Sequence, residues 1–183
     1  MLVTLSTSAG AVSPDHHWRT LRGGGFTIIY SEGEETLAAR TLAIAEQTAD
    51  RIDARFHWRP LEPVRIVLTD DIGLSNGFTS VFPHNLIEIY VTPPSVQADG
   101  LVRYGDWLRM IITHEYTHIV QLGMAHGWPA GLRRWFGRNP LLFPGEYQPT
   151  LLTEGLAVHE ESDPALDIGR SGGPLFAMEM RAE

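Results

Sequence analysis

The chain has 183 residues, 43% hydrophobic and 20% charged, a globular composition of one-domain size. Lys and Arg number 14 against 22 Asp and Glu, a formal charge of −8. With no block richer in base than Arg133, Arg134 and Arg138, this argues against nucleic acid as a partner. The absence of cysteine excludes disulfides and Cys-ligated zinc, and no apolar run reaches the ~18 residues that a membrane-spanning helix needs.

Residues 1–17, opening MLVTLSTSAGAVS, read either as a flexible N-terminal tail or as the remnant of a secretory signal with an A-x-A-like end. The second reading implies a secreted or periplasmic protein. Residues 18–183 read as one domain. FTIIYS (26–31), β-branched and aromatic after the breaker at 23–25, predicts a strand. Residues 33–57 predict a helix, with Leu37, Leu42, Ile44, Ala45, Ile52 and Phe56 recurring among charged positions. VRIVLT (64–69) is a second strand. Residues 70–85 read as a loop, with turn signals at Asn76-Gly77 and at Pro83 and room for one short extra strand.

LIEIYVT (86–92) is a third strand, stopped by PPS. Residues 106–122 give the best helix, with Asp106 as N-cap or first-turn acid and Gly123 to end it. Residues 124–147, rich in Gly, Pro and aromatics, form a partly helical excursion. PTLLTEGLAVHEE (149–161) predicts a last helix opened by Pro149, and the final twenty residues read as irregular. The expected fold class is α+β, a small mixed twisted sheet packed on helices.

The chemistry concentrates in H114-E115-Y116-T117-H118. A helix turns about 100° per residue, so residues four apart differ by about 40° in direction and stand about 6 Å apart along the axis. His114 and His118 can therefore face one metal ion. Glu115 points elsewhere but reaches a water on that ion, where it can act as a general base. Shuffling this composition yields H-E-x-x-H in roughly 2% of cases, so the pattern is informative without being conclusive. Against the metal stands an ordinary helix that carries two histidines.

Zinc takes three protein ligands in catalytic sites and keeps one position for water. The candidates for the third are His126, Glu146, Glu154, His159, Glu160 and Glu161. Histidine placement eight residues after His118 does not match the metzincin pattern, since Gln121 and Met124 stand where Gly and His belong. Glu154 is preferred, because a lone carboxylate in an apolar helix is costly unless paired or metal-bound. Gly155 and Ala157 beside it would allow close helix approach. Glu160 and Glu161 read as a solvated helix end, and His159 as a surface histidine or else a group beside the ligands or the substrate.

HEYTHIVQL followed by PTLLTEGLAVHEE resembles the gluzincin metallopeptidases. The chain from about Trp18 to Arg181 resembles in particular the bacterial peptidase MA-like domains found ahead of Tol-type β-propellers. The supporting stretches are WRTLRGGGFTIIYSEGEE, SNGFTSVFPHNLIEIYVTPP and GRSGGPLFAMEMR. The resemblance implies a zincin half-domain in which His114, His118 and Glu154 bind Zn and Glu115 is the catalytic base. It makes LIEIYVT the edge strand above the cleft, able to pair with an extended peptide. Tyr147 and His159 are its candidates for a second shell or a transition-state donor.

Three departures stand out. The stretch between His118 and Glu154 is longer than gluzincins usually have, Leu151 replaces a common aromatic, and Val158 stands where an orienting carboxylate is usual. Two functions follow: a zinc metallopeptidase acting on a peptide or protein substrate, or a metal-binding but catalytically weak module attached to a C-terminal propeller domain. The aromatic excursion reads as core and lid in preference to a membrane-surface contact or a partner face.

Overall fold

Alternate residues of the strands at 26–31, 64–69 and 86–91 are apolar, so each strand offers one face to a core. In the computed structural model, which describes residues 17–69, 75–91 and 107–162, those faces align across one sheet. The described elements are β1 (Trp18–Gly23), β2 (Phe26–Ser31), α1 (Glu35–Phe56), β3 (Val64–Thr69), β4 (Ser75–Ser80), β5 (Leu86–Val91), α2 (Trp107–Gly123), α3 (Trp128–Phe136) and α4 (Thr150–Glu161). Two short 3-10 turns, Pro140–Leu142 and Pro144–Tyr147, join α3 to α4.

The sheet runs β1-β2-β3-β5-β4. The three central strands are parallel, and each edge strand is antiparallel to its neighbour. The register sets Phe26 beside Val64, Ile28 beside Ile66, Ile66 beside Ile87 and Leu68 beside Ile89, all buried. Each such side chain contributes ~1.5–3 kcal/mol by leaving water. The opposite face carries Arg65, Val67 and Glu88, which stay partly or wholly exposed. The helices therefore lie on one side, and the α+β expectation holds.

The sheet has five strands where three were read with room for a fourth in 70–85, which is β4. β1 alternates poorly and carries two arginines, so it lacks the apolar period that marks a strand. β4 passes straight through Asn76-Gly77, which the sequence suggested as a turn. The structure also overturns the expected edge: β5 is interior, paired to both β3 and β4, and β4 is the edge beside α2.

α2 is the central helix, with every residue from Met110 to Gln121 buried. It packs on α1, α4, β4 and β5. Tyr116 ties it to α1 by donating to Asp53 Oδ1 at 2.8 Å while its ring lies 5.6 Å from that of Phe26. α4 is tied to α1 through Glu160, which is 1% exposed and meets Arg51 at 3.3 Å and Arg55 at 3.1 Å. The expectation that Glu160 and Glu161 form a solvated helix end is thus wrong for both, since Glu161 is also fully buried. The expected N-cap Asp106, the 1–16 tail, the stop after β5 and the irregular terminus lie outside the described residues.

Candidate metal centre

One turn of α2 separates His114 from His118, and their Nε2 atoms approach to 3.2 Å. α4 crosses α2 and brings Glu154 to the same point. Its Oε2 is 3.4 Å from His114 Nε2 and its Oε1 3.6 Å from His118 Nε2. Four tetrahedral ligands at ~2.1 Å from zinc stand ~3.4 Å from one another, so the three atoms sit at the spacing of such a set.

The protons point the same way. Glu161 Oε2 lies 2.8 Å from His114 Nδ1 and holds the ring proton there, which leaves a lone pair on His114 Nε2. Burial, with His114 beside it, pushes the His118 pKa below its ordinary value and keeps that ring neutral. Two imidazole lone pairs and a carboxylate then converge on one point. A single shared proton relieves one of these contacts; a cation relieves all three. The donor set, two imidazoles and a carboxylate, is one that zinc favours.

Glu115 lines the same cleft, a space of about 340 Å³ between β4, α2 and α4. Glu115 as a residue is 5% exposed, and Thr79 Oγ1 on β4 stands 2.8 Å from its Oε2. Burial raises the Glu115 pKa, and the Thr79 hydrogen bond partly offsets that rise. Gly77, on the same strand, has no room for a side chain: a Cβ there would lie 2.7 Å from Glu115 Oε1 and 2.9 Å from Ile111 Cγ1. The edge strand and the α2 carboxylate are thus built against each other.

The other candidates separate cleanly. His126 and Glu146 are exposed and lie outside the ligand cluster. His159 turns toward α1, its Nε2 3.2 Å from Arg55, so its proposed place beside the ligands is not where the structure puts it. Tyr147 is 66% exposed and does not line the cleft. Glu154 is not the buried carboxylate that motivated its choice, for its side chain is 54% exposed at the cleft mouth. Ala157 is fully buried, whereas Gly155 faces open space and does not mediate the helix contact.

Two roles escaped the sequence reading, which had Glu161 only as a rival ligand or a solvated helix end. Glu161 follows Glu154 by seven residues, two helical turns, which returns it to nearly the same face; that spacing was the available signal. Thr79 had none, because its role depends on β4 pairing as an edge strand. A larger cavity, about 810 Å³, lies around Trp58, Arg133 and Arg138 and includes none of the three ligands. No family model, curated protein or solved structure matches this chain.

Proposed function

We propose that this chain is a zinc-dependent metallopeptidase domain. The observation that carries the reading is the convergence of His114, His118 and Glu154 at 3.2–3.6 Å, with the Glu115 carboxylate lining the same cleft. A bound Zn²⁺ supplies a Lewis acid for the scissile carbonyl and lowers the pKa of the attacking water to ~7.

This chain's residues do the rest. Glu115 takes the water proton and passes it to the leaving amine, and its burial raises its basicity for that task. Thr79 holds the carboxylate toward the cleft. Glu161 fixes the tautomer and direction of His114. The outer edge of β4, with no strand paired to it among the described residues, offers backbone groups to an extended peptide.

A second reading, a metal-binding module with weak catalysis, draws support from one observation. Neither Tyr147 nor His159 lines the cleft, so neither is placed as an oxyanion donor. The two readings part on one experiment: elemental analysis of wild type, Glu154→Ala and Glu115→Gln, purified without chelator, followed by hydrolysis of a peptide mixture. The peptidase reading requires about one zinc per wild-type chain, loss of zinc in Glu154→Ala, and zinc retained with cleavage lost in Glu115→Gln. Zinc without cleavage in the wild type supports the binding module, and no zinc in any of them refutes both.

A further inference from the structure

The excursion between α2 and α4 forms the expected core only in part. α3 contributes no buried residue, and its Trp128, Trp135 and Phe136 share one exposed arc at ~100° per residue. The turns after it pack closely. Leu142 and Phe143 are buried, and a Cβ on Gly145 would lie 2.6 Å from the Gln121 carbonyl oxygen and 2.7 Å from Leu122 Cα. The turn Pro144–Tyr147 thus lies against the last turn of α2, where Gln121 is 6% exposed.

A buried side-chain amide is costly unless both its ends are paired. Gln121 Nε2 donates to Gln148 Oε1 at 2.8 Å. Its Oε1, also buried, accepts from no described residue. His118 Nδ1 is buried and without a hydrogen-bond partner as well. The two residues stand three apart on α2, a spacing that puts Cβ atoms about 5–6 Å from each other. Helical side chains lean toward the N-terminus, so Gln121 lies over the turn that carries His118.

Proton placement makes the two atoms complementary. His114 keeps its proton at Nδ1 against Glu161, so without a cation the 3.2 Å contact between the two Nε2 atoms takes its proton from His118. A metal ligand at His118 must instead offer its Nε2 lone pair, and the neutral ring then carries its proton at Nδ1. A histidine ligand ordinarily donates that second proton to an acceptor. Gln121 Oε1 is a buried acceptor with no donor, on the same face of the same helix.

We propose that Gln121 is the positioning residue of His118, its Oε1 taking the Nδ1 proton when Nε2 faces a metal, as Glu161 does for His114. The inference rests on the zinc reading of the site. Gln148 orients the amide by holding its nitrogen end, which leaves the oxygen for the ring. Gln148 also precedes Pro149 and the start of α4, so the same amide pair links the turn of His118 to the helix that bears Glu154.

The test joins two measurements on the full chain: zinc affinity by chelator competition, and proton–nitrogen correlation spectra of the histidine rings in the zinc-loaded protein. Wild type is compared with Gln121→Met, which keeps length without an acceptor, and with Gln121→Glu, which keeps an acceptor. Melting temperatures of the metal-free variants verify folding. The expected wild-type spectrum shows His118 protonated at Nδ1. Gln121→Met should move that proton upfield and weaken zinc binding roughly 10–100-fold. Gln121→Glu should restore the affinity and move the proton downfield, as a charged acceptor does.

An unchanged His118 Nδ1 proton and wild-type affinity in Gln121→Met overturn the proposal. Equal weakening in both variants overturns it too, and assigns the amide to packing. Should Gln121→Met fail to fold, the Gln121→Glu spectrum decides: a downfield move supports the proposal and an unmoved proton overturns it. A wild-type chain that binds no zinc is a different result, which refutes the zinc reading itself and this inference with it.

Discussion

Glu161 Oε2 stands 2.8 Å from His114 Nδ1, in a fully buried position two helical turns beyond Glu154. One helix thus supplies both the carboxylate that meets the two histidines at the cleft and the one that orients His114, which the proposed zinc site would use as a ligand. Glu161→Gln should keep the fold yet weaken zinc binding by roughly 10–100-fold, the usual cost of removing such an outer partner. Competition with a chromogenic chelator measures it. An affinity equal to wild type would remove Glu161 from the centre.

Glu115→Gln should leave zinc stoichiometry intact and lower peptide hydrolysis by about 10²–10⁴-fold, the contribution typical of a positioned proton-transfer group. The same substitution has a stability signature in the metal-free protein. Burial raises the folded-state pKa of Glu115 above its unfolded value, so the native state holds a proton longer as pH rises. Wild-type stability therefore falls through that window, and the full penalty stands above the folded pKa. The melting temperature of Glu115→Gln minus that of wild type should be near zero at about pH 4 and become positive toward neutrality. A difference that shrinks with rising pH would contradict the burial argument.

Gly77→Val tests the contact between edge strand and base. The new Cβ falls 2.7 Å from Glu115 Oε1 and 2.9 Å from Ile111 Cγ1, so either β4 or the Glu115 side chain must move. The expected cost is about 1–3 kcal/mol of stability, with hydrolysis reduced more than zinc binding. Denaturant melts and zinc titration of the same variant supply both numbers. Wild-type stability and hydrolysis together would show that the strand has slack there.

Glu160→Ala leaves Arg51 and Arg55 without the buried carboxylate that joins α1 to α4. Removing one partner of such a buried pair costs about 3–5 kcal/mol in well-buried cases; Arg55, with a side chain 48% exposed, keeps this one toward the lower end. Because α4 carries Glu154, zinc affinity should fall along with stability. Urea denaturation with and without zinc checks both. A variant that loses neither would show that α4 is held by apolar packing alone.

The local pattern of the chain determined a good deal. Short β-branched and aromatic runs marked β2, β3 and β5, recurring apolar positions marked α1 and α2, Pro149 marked the start of α4, and the four-residue interval of His114 and His118 set two imidazoles on one face. These are properties of adjacent residues, fixed by strand and helix geometry before any long-range contact forms. β1 escaped, and β4 was legible only as room for one short strand, because pairing, not their own composition, makes them strands; Gly77 signalled a close approach to Glu115 rather than a turn.

Tertiary structure alone decided the rest. It brought Glu154, already preferred in the sequence, to both histidines though with an exposed side chain, buried Glu160 against α1 and Glu161 against His114, and turned His159 away. It also pointed the apolar arc of α3 outward. Each outcome depends on how α4 and α3 rotate against α1 and α2, and a helix's sequence fixes which residues share a face, not which neighbour that face meets.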